Sequence, residues 1–407
     1  MLINLRLLTM DAQQEDLYLS ADEAANRLGI SLPTLYAYVS RKNIRSLKVE
    51  GSRSRRYWAA DIERLGKGKV DVGSAAPELH RMAASTAITL LTDKGLYYRG
   101  RDVVELAQHS TVEEVAEWIW QAPGVFAATP LPKKPKGIST LLKSMYEMST
   151  AQKAIVLFPL IEHENPLAHD LSSEGYARTG VDVVRWLAAL AVGANAPVAQ
   201  PLHEFIADSL GVDAAYADLI RRTLILCIDH ELDPTTYTVR VAANVGVTPY
   251  YAAIAGLAAS RGRRLSTGRS ESVTRMLEEI CLSKDGTTPI LQRFRQGEPL
   301  PGFDTNQHAL NDPRAQCLLD AISAVLAGDI EFLKLLKAIE LAQELSRQPP
   351  AFLLLLSFIG RKLNLNNQEV ALGGVGRVIG WLAHANEQYQ QQPLLRPRAK
   401  YVGPLPD

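Results

Sequence analysis

From residue 79 onward, apolar residues recur three and four positions apart, which is the spacing of helices that bury one face. Prolines and glycines separate these windows, as they do at helix ends. Alternating patterns typical of strands are few in this part of the chain. We therefore predict a mainly α-helical body. The windows with helical spacing are residues 111–120, 180–192, 216–228, 249–259, 270–281, 315–326, 331–345 and 370–388.

The amino-terminal residues have a different pattern. Residues 21–28 form a short helical window that ends at Gly29, a residue favoured just after a helix. Ser31 is suited to cap a second helix that follows at once. Two helices joined so closely have the spacing of a helix-turn-helix. In the second helix, the residues predicted to face the core are Leu32, Leu35 and Val39.

Two short basic segments follow the second helix. Residues 44–49 alternate like a strand, residues 51 and 52 allow a turn, and residues 53–58 return as a second strand. A helical turn over residues 61–65 closes the segment. The order of helix, helix, basic hairpin and short helix resembles the winged helix-turn-helix of the MerR and excisionase regulators. We therefore predict a DNA-binding domain over residues 1–65, followed by a glycine-rich linker over residues 66–78.

The predicted DNA contacts lie on the second helix and on the hairpin. Side chains of the helix would meet base edges, while the hairpin arginines would meet phosphates. The alternative is a helix-turn-helix kept for protein contacts, with its arginines solvated. One such unit reads a short site weakly, so specific binding calls for a dimer. The candidate contacts are Thr34, Tyr36, Arg41, Lys42, Arg53, Arg55 and Arg56.

Charge and cysteine content narrow the class of protein further. The formal net charge of the chain is zero, but residues 41–69 contain ten Lys or Arg and three Asp or Glu, a local net charge of +7. This block favours one surface for an anionic partner. Three widely separated cysteines predict neither disulfides nor a metal site, which is typical of the cytoplasm. No apolar run in the sequence approaches the roughly 20 residues that a membrane span needs.

Residues 224–240 hold the clearest candidate for a site in the body. An apolar run ends there in the adjacent residues Asp229, His230 and Glu231. Ionisable residues at the end of an apolar helix are either solvated, or they are paired and face a cleft. The segment by itself leaves both interpretations open.

Five segments of the body resemble those of citrate synthases, in the order that the family has. The resemblance implies an all-α homodimer whose small domain closes over the substrate. It implies a large domain over residues 79–266 and 355–407, and a small domain over residues 267–354. The segments are residues 96–116 (LYYRGRDVVELA and TVEEVA), 229–233 (DHELD), 301–315 (PGF and DPRA), 376–384 (GRVIGWLAH) and 395–403 (LRPRAKYVG).

By this resemblance, four residues would hold the carboxylates and keto group of oxaloacetate or a citrate-like ligand. His230 falls on the substrate histidine of the family, and Arg314, Arg377 and Arg396 fall on its three substrate arginines. Arg396 would reach in from the partner subunit.

The residues that carry the reaction in the family are replaced. Ser266 and Thr305 stand where the family has histidines on the enol and keto oxygens, and Ala351 stands where it has the carboxylate base. No Asp or Glu occurs from residue 345 to residue 368. A positioned base is worth roughly 10²- to 10⁴-fold in rate. The replacements therefore predict very low synthase activity.

The sequence thus predicts a DNA-binding transcriptional regulator whose body senses a di- or tricarboxylate. The first alternative is an active citrate or 2-methylcitrate synthase that uses acetyl-CoA or propionyl-CoA. The second alternative is an inactive partner subunit of a true synthase. Coenzyme A is implied only by the first alternative.

Overall fold

The computed structural model describes residues 18–41, 44, 46–48, 54–58, 62, 85–92, 95–264, 267–303, 312–365, 370–391 and 403. The chain divides into two compact units, Met1–Glu78 and Leu79–Asp407, here called the head and the body. This boundary coincides with the end of the predicted linker. The predicted domain limits, including those of the two domains of the body, stay predictions.

The head contains a helix pair and a small antiparallel sheet of order β1-β3-β2. The predicted order of two helices and a hairpin is confirmed, although both hairpin strands are shorter than predicted. Strand β1 was not predicted, because two residues are too few to show an alternating pattern. The elements are β1 (Tyr18–Leu19), α1 (Ala21–Leu28), α2 (Leu32–Arg41), β2 (Ser46–Lys48) and β3 (Arg55–Trp58).

Local sequence explains where the first helix begins and ends. Ser20 accepts a hydrogen bond from the backbone N–H of Glu23, and the Glu23 carboxylate accepts one from the N–H of Ser20. This capping box satisfies two otherwise unpaired donors. Gly29 ends the helix with φ +60°, a conformation that costs glycine little. As predicted, Leu35 is fully buried, and Leu32 and Val39 pack against the core of the head.

The body is mainly helical, and all eight predicted windows lie in helices that agree with them to within a few residues, except that the second starts earlier. The helices are α3 (Val103–His109), α4 (Val112–Trp120), α5 (Val125–Ala128), α6 (Ile138–Ser144), α7 (Thr150–His163), α8 (Ser173–Ala191), α9 (Leu202–Leu210), α10 (Ala214–Cys227), α11 (Pro234–Ala243), α12 (Pro249–Ser260), α13 (Thr267–Leu282), α14 (Thr288–Gln296), α15 (Pro313–Leu326), α16 (Ile330–Ser346), α17 (Phe352–Lys362) and α18 (Ala371–Gln390).

A second three-stranded sheet begins the described part of the body. Its strands are β4 (Thr89–Leu91), β5 (Leu96–Tyr98) and β6 (Arg101–Asp102), paired antiparallel in that order. The Tyr98 hydroxyl at the end of β5 donates to the carbonyl of Asp229 at 3.1 Å and accepts from its N–H at 2.9 Å. The sheet is thereby joined to the residues that follow α10.

Helix α18 lies in the middle of the body and packs against α8, α10, α11 and α12. Two glycines allow it to approach α10 closely. A Cβ atom at Gly376 would collide with the carbonyl of Leu224, and one at Gly380 would collide with the carbonyl of Ile228. The glycine spacing of four residues puts both on one face of α18. This approach brings the intervening Arg377 to the end of α10.

A membrane-spanning helix must be both long and continuously apolar. None of the helices of the described residues has both properties.

Candidate functional site

Asp229 is the centre of a buried polar cluster at the end of α10. Its side chain has no exposed surface. Oδ2 accepts from the Thr89 hydroxyl at 2.5 Å and from the N–H of Glu231 at 3.0 Å, and it lies 3.1 Å from Nε2 of His384. Oδ1 accepts from Nη1 of Arg377 at 3.0 Å. The solvated-helix-end interpretation is therefore wrong for this residue.

Arg377 joins two acidic residues that flank His230 in the sequence. Besides Asp229, it donates from Nη2 to Oδ2 of Asp233 at 2.7 Å and to the hydroxyl of Thr236 at 2.8 Å. Only 12% of its side chain is exposed. Asp233 is also the N-cap of α11, where it accepts from the N–H of Thr236. The cap of one helix therefore orients a cation of another.

The pKa values of this cluster reflect the pairing. Burial by itself would raise the pKa of Asp229, but His384, Arg377 and the hydrogen bond from Thr89 hold it well below its usual range. Burial would likewise lower the pKa of Arg377, yet the carboxylates of Asp229 and Asp233 raise it. Both groups are therefore charged at neutral pH, and each stabilises the other.

Behind Asp229, the cluster continues into the interior of the body. Nδ1 of His384 lies 3.2 Å from Nη1 of Arg240. An arginine has donors only, so Nδ1 must accept, and the ring proton lies on Nε2, from which it is donated to Asp229. Arg240 is fully buried and is paired at 2.6 Å with Glu387. These contacts fix the tautomer and orientation of the His384 ring.

Arg314 lies in a second polar cluster, at the start of α15. It donates from Nε and Nη2 to the two oxygens of Asp312, at 3.1 and 2.8 Å, which is the fork geometry of a strong ion pair. Its guanidinium lies 4.8 Å from the centre of the Phe352 ring. The neighbouring Ala351 donates from its backbone N–H to the carbonyl of Gly302 at 2.8 Å. The start of α17 is therefore fixed beside Arg314.

The two arginine clusters converge on Cys227. Burial raises the pKa of the Cys227 thiol to about 12, while the nearby charges of Arg314 and Arg377 act to lower it. Arg314 on α15 and Arg377 on α18 belong to helices that both pack against α10, and both charges act on the residue that ends it. His230 is half-buried and follows that residue by three positions. The structure thus brings three of the four predicted ligand residues to one region. Their ligand-binding roles stay predictions.

Ala351 is buried, and its methyl group is the whole of the side chain at this position. Three other predicted residues, Ser266, Thr305 and Arg396, lie outside the described residues.

The structure describes four of the seven candidate DNA contacts. Tyr36 is 54% exposed on α2. The hydroxyl of Thr34 is hydrogen-bonded to that of Ser31 at 2.8 Å, at the start of the same helix. Arg55 is exposed on β3 and donates to Ser46, and Arg56 is partly exposed. The side chain of Arg41, and the residues Lys42 and Arg53, lie outside the described residues.

Four residues that support the site were not predicted from the sequence: Thr89, Arg240, Asp312 and His384. The last two occur in segments that resemble citrate synthases, so the resemblance offered a signal for them. Arg240 interrupts an apolar pattern within α11, and a cation at such a position indicates a buried partner. Nothing near Thr89 in the sequence points to Asp229.

Two family models match the chain. The citrate synthase C-terminal domain matches residues 79–398, and a helix-turn-helix domain matches residues 18–65. Similar proteins include citrate synthase 2 of Bacillus subtilis, 25% identical over 355 residues, which are 79% of this chain and 94% of that protein. They also include the 2-methylcitrate synthase of Shewanella oneidensis, 23% identical over 80% of this chain and 93% of that protein.

Solved structures agree with the fold of the body. A ternary complex of citrate synthase from Thermoplasma acidophilum with carboxymethyl coenzyme A and oxaloacetate is similar, with a TM-score of 0.68 and 21% identity. The match covers 84% of this chain and 97% of the Thermoplasma acidophilum chain. Citrate synthase from Thermotoga maritima has a TM-score of 0.61 at 23% identity, over 79% and 93% of the two chains. The chain belongs to the citrate synthase family and carries a helix-turn-helix domain at its amino-terminal end.

Proposed function

We propose that this protein is a DNA-binding transcriptional regulator whose citrate-synthase body binds a di- or tricarboxylate, such as citrate or oxaloacetate, without turning it over. The observation that carries the proposal is Ala351. Its backbone is fixed against Gly302 beside Arg314, at the position where the family resemblance requires a carboxylate base. A methyl group cannot remove a proton, and the loss of a positioned base lowers a rate by roughly 10²- to 10⁴-fold.

Support for a carboxylate ligand comes from the two arginines around the end of α10. Arg314 and Arg377 are held in place by acidic partners, and their guanidinium groups are the donors best suited to paired carboxylate oxygens. His230 would donate to a keto or hydroxyl oxygen, and Arg396 would complete the site from a partner subunit. Each of these roles is part of the proposal.

Support for a homodimer comes from apolar side chains exposed on neighbouring helices of the body. Tyr237 and Val241 on α11, and Val245 in the turn just after it, recur at intervals of four residues and are 39%, 49% and 69% exposed. Helix α12 packs beside both α11 and α7, and α7 exposes Val156 and Leu160. Exposed apolar stripes of this kind mark interfaces, and a second copy of the chain would cover them. A dimer would also supply the two heads that a two-fold DNA site requires.

Calorimetric titration with citrate, oxaloacetate and 2-methylcitrate tests the ligand. We expect at least one of them to bind the wild-type protein, and we expect Arg314→Ala to weaken that binding at least tenfold. Arg361→Ala is the matched control, because Arg361 pairs with Glu331 in a partly exposed position and makes none of the hydrogen bonds described for these clusters. Failure of all three compounds to bind, or equal affinity in the Arg314→Ala protein, would refute the carboxylate-sensing function.

An active citrate or 2-methylcitrate synthase is the second candidate function. It is favoured by the similar proteins, which carry those names and are matched over more than nine-tenths of their length. Release of free thiol from acetyl-CoA or propionyl-CoA in the presence of oxaloacetate separates the two functions. We expect turnover at least about a hundredfold below the usual enzyme range of roughly 1–10³ s⁻¹. Turnover within that range would establish the synthase instead.

A further inference from the structure

A continuous set of contacts joins Arg377 to residues 85–89, the first described segment of the body. In the sequence, this segment follows the stretch that connects the head to the body. Arg240 donates from Nη2 to the carbonyl of Ser85 at 3.1 Å. The N–H of Ala87 donates to Glu387 at 2.8 Å, and the Thr89 hydroxyl donates to Asp229 at 2.5 Å. The segment is therefore held at three successive points.

The residues that hold this segment are bonded to one another. Glu387 pairs with Arg240 at 2.6 Å, Arg240 contacts His384 at 3.2 Å, and His384 contacts Asp229 at 3.1 Å. Asp229 then pairs with Arg377 at 3.0 Å. The side chains of Arg240, His384 and Asp229 are fully buried, so water cannot replace a contact that is weakened. When a contact of Arg377 changes, the other contacts of this set must therefore change with it.

A carboxylate ligand would produce such a change. The guanidinium of Arg377 has five N–H groups, and three of them are engaged by Asp229, Asp233 and Thr236. A ligand that draws this guanidinium toward itself competes with the carboxylate of Asp229. That carboxylate is buried and charged, so it must then rely more strongly on its other donors. One of these donors is the Thr89 hydroxyl, in the segment that leads to the head.

We infer that these contacts couple occupancy of the carboxylate pocket to the segment that leads to the DNA-binding head, with Thr89 and Arg240 as positioning residues. This inference rests on the proposed function, because it concerns how the same pocket acts on the head. Ligand binding tightens the contacts at residues 85–89. Coupling is reciprocal, so bound DNA changes the affinity for the ligand by the same factor.

Hydrogen exchange of the full-length protein tests the coupling. We expect a saturating concentration of citrate, or of oxaloacetate or 2-methylcitrate if citrate does not bind, to slow amide exchange at residues 85–91 by about fivefold or more, which is the lower end of usual coupling factors. Thr89→Val keeps the shape of the side chain but removes its bond to Asp229, and the effect of citrate should fall to less than about twofold. Thr223→Val is the matched control. It also removes a buried hydroxyl, but one that bonds only to the carbonyl of Leu219 within α10.

A second measurement follows the head itself. A DNA duplex selected by the wild-type protein from a random-sequence pool is titrated with and without citrate. The ratio of the DNA affinity with citrate to that without citrate should be the same for wild type and Thr223→Val. For Thr89→Val this ratio should approach one.

Three results decide the inference. Citrate that binds without slowing exchange at residues 85–91 would overturn the inference and leave the proposed ligand intact. The inference would also be overturned, with the proposed ligand left intact, if citrate still slowed exchange and still changed the DNA affinity of Thr89→Val as it does in wild type. If calorimetry detects no binding of citrate, oxaloacetate or 2-methylcitrate, the proposed function fails, and the coupling fails with it.

Discussion

Replacement of Arg377 by methionine should reduce stability strongly, because it leaves a buried charge without its cation. Asp229 has no exposed surface, and Arg377 also pairs with Asp233. Removal of one partner from a buried ion pair costs roughly 3–5 kcal/mol. Asp229 keeps its contacts with Thr89, His384 and the N–H of Glu231. We therefore expect Arg377→Met to lower the free energy of unfolding by about 3 kcal/mol, at the lower end of that range.

The origin of that loss is tested by a double-mutant cycle with Asp229→Asn. If the cost comes from an unpaired charge, the double variant should lose less free energy of unfolding than the two single variants lose together. The difference should be about 1–3 kcal/mol. Arg361→Met is the control, since its partner Glu331 is 24% exposed and such pairs contribute less than about 1 kcal/mol.

Urea unfolding at one fixed protomer concentration measures these values, because the stability of an oligomer depends on concentration. The reasoning would be refuted by an Arg377→Met protein no less stable than Arg361→Met, or by a cycle that is additive to within about 0.5 kcal/mol.

The same pair has a predictable dependence on pH. The pKa of Asp229 in the folded protein lies below its ordinary value of 3.8. The stability that this carboxylate contributes is therefore fully present above that value, and it is lost as the pH falls through the lower folded pKa. Acid unfolding of wild type should be steeper than that of Arg377→Met.

Three further predictions concern other parts of the chain. Burial raises the pKa of Asp182 to about 7. The folded protein is therefore destabilised by the ionisation of this carboxyl group, increasingly so as the pH rises from about 4 to 7. Asp182→Asn should therefore stabilise the protein by roughly 2–3 kcal/mol more at pH 8 than at pH 5, and equal effects in urea at both values would contradict this. On α18, Gly380→Ala should lower the melting temperature sharply because its Cβ meets a carbonyl of the α10 segment. Gly374→Ala, with open space around it, should raise stability by up to about 1 kcal/mol, and similar effects at both positions would be inconsistent with close packing. Arg55→Ala combined with Arg56→Ala should reduce the slope of log affinity for DNA against log salt by about 2, and an unchanged slope would exclude phosphate contacts by these arginines.

Much of the secondary structure could be predicted from the sequence. The first helix begins at Ala21 and ends at Leu28 as predicted, because its cap, its apolar spacing and Gly29 act over only a few residues. The long helices of the body were recognised for the same reason. The strands of two to four residues were harder, since so few residues cannot show a period of two.

Of the candidate site, the ligand residues were predicted but their hydrogen-bond partners were not. The resemblance to citrate synthases selected His230, Arg314 and Arg377, and the structure brings these three to the end of α10. It did not indicate that Arg314 would be paired with Asp312, or that Arg377 would lie between Asp229 and Asp233. The ion-pair partners of both arginines are therefore known only from the structure.

The sequence by itself determined the helical periodicity, the caps and the residue types at the site, including the alanine at position 351. The partners of the charged groups were decided by tertiary structure alone. Asp229 and Arg377 are 148 residues apart, and they meet because Gly376 and Gly380 let α18 approach α10. Thr89 reaches the same carboxylate across 140 residues. Periodicity and capping depend on neighbours along the chain, whereas an ion pair depends on the distance between two packed elements, which no local pattern specifies.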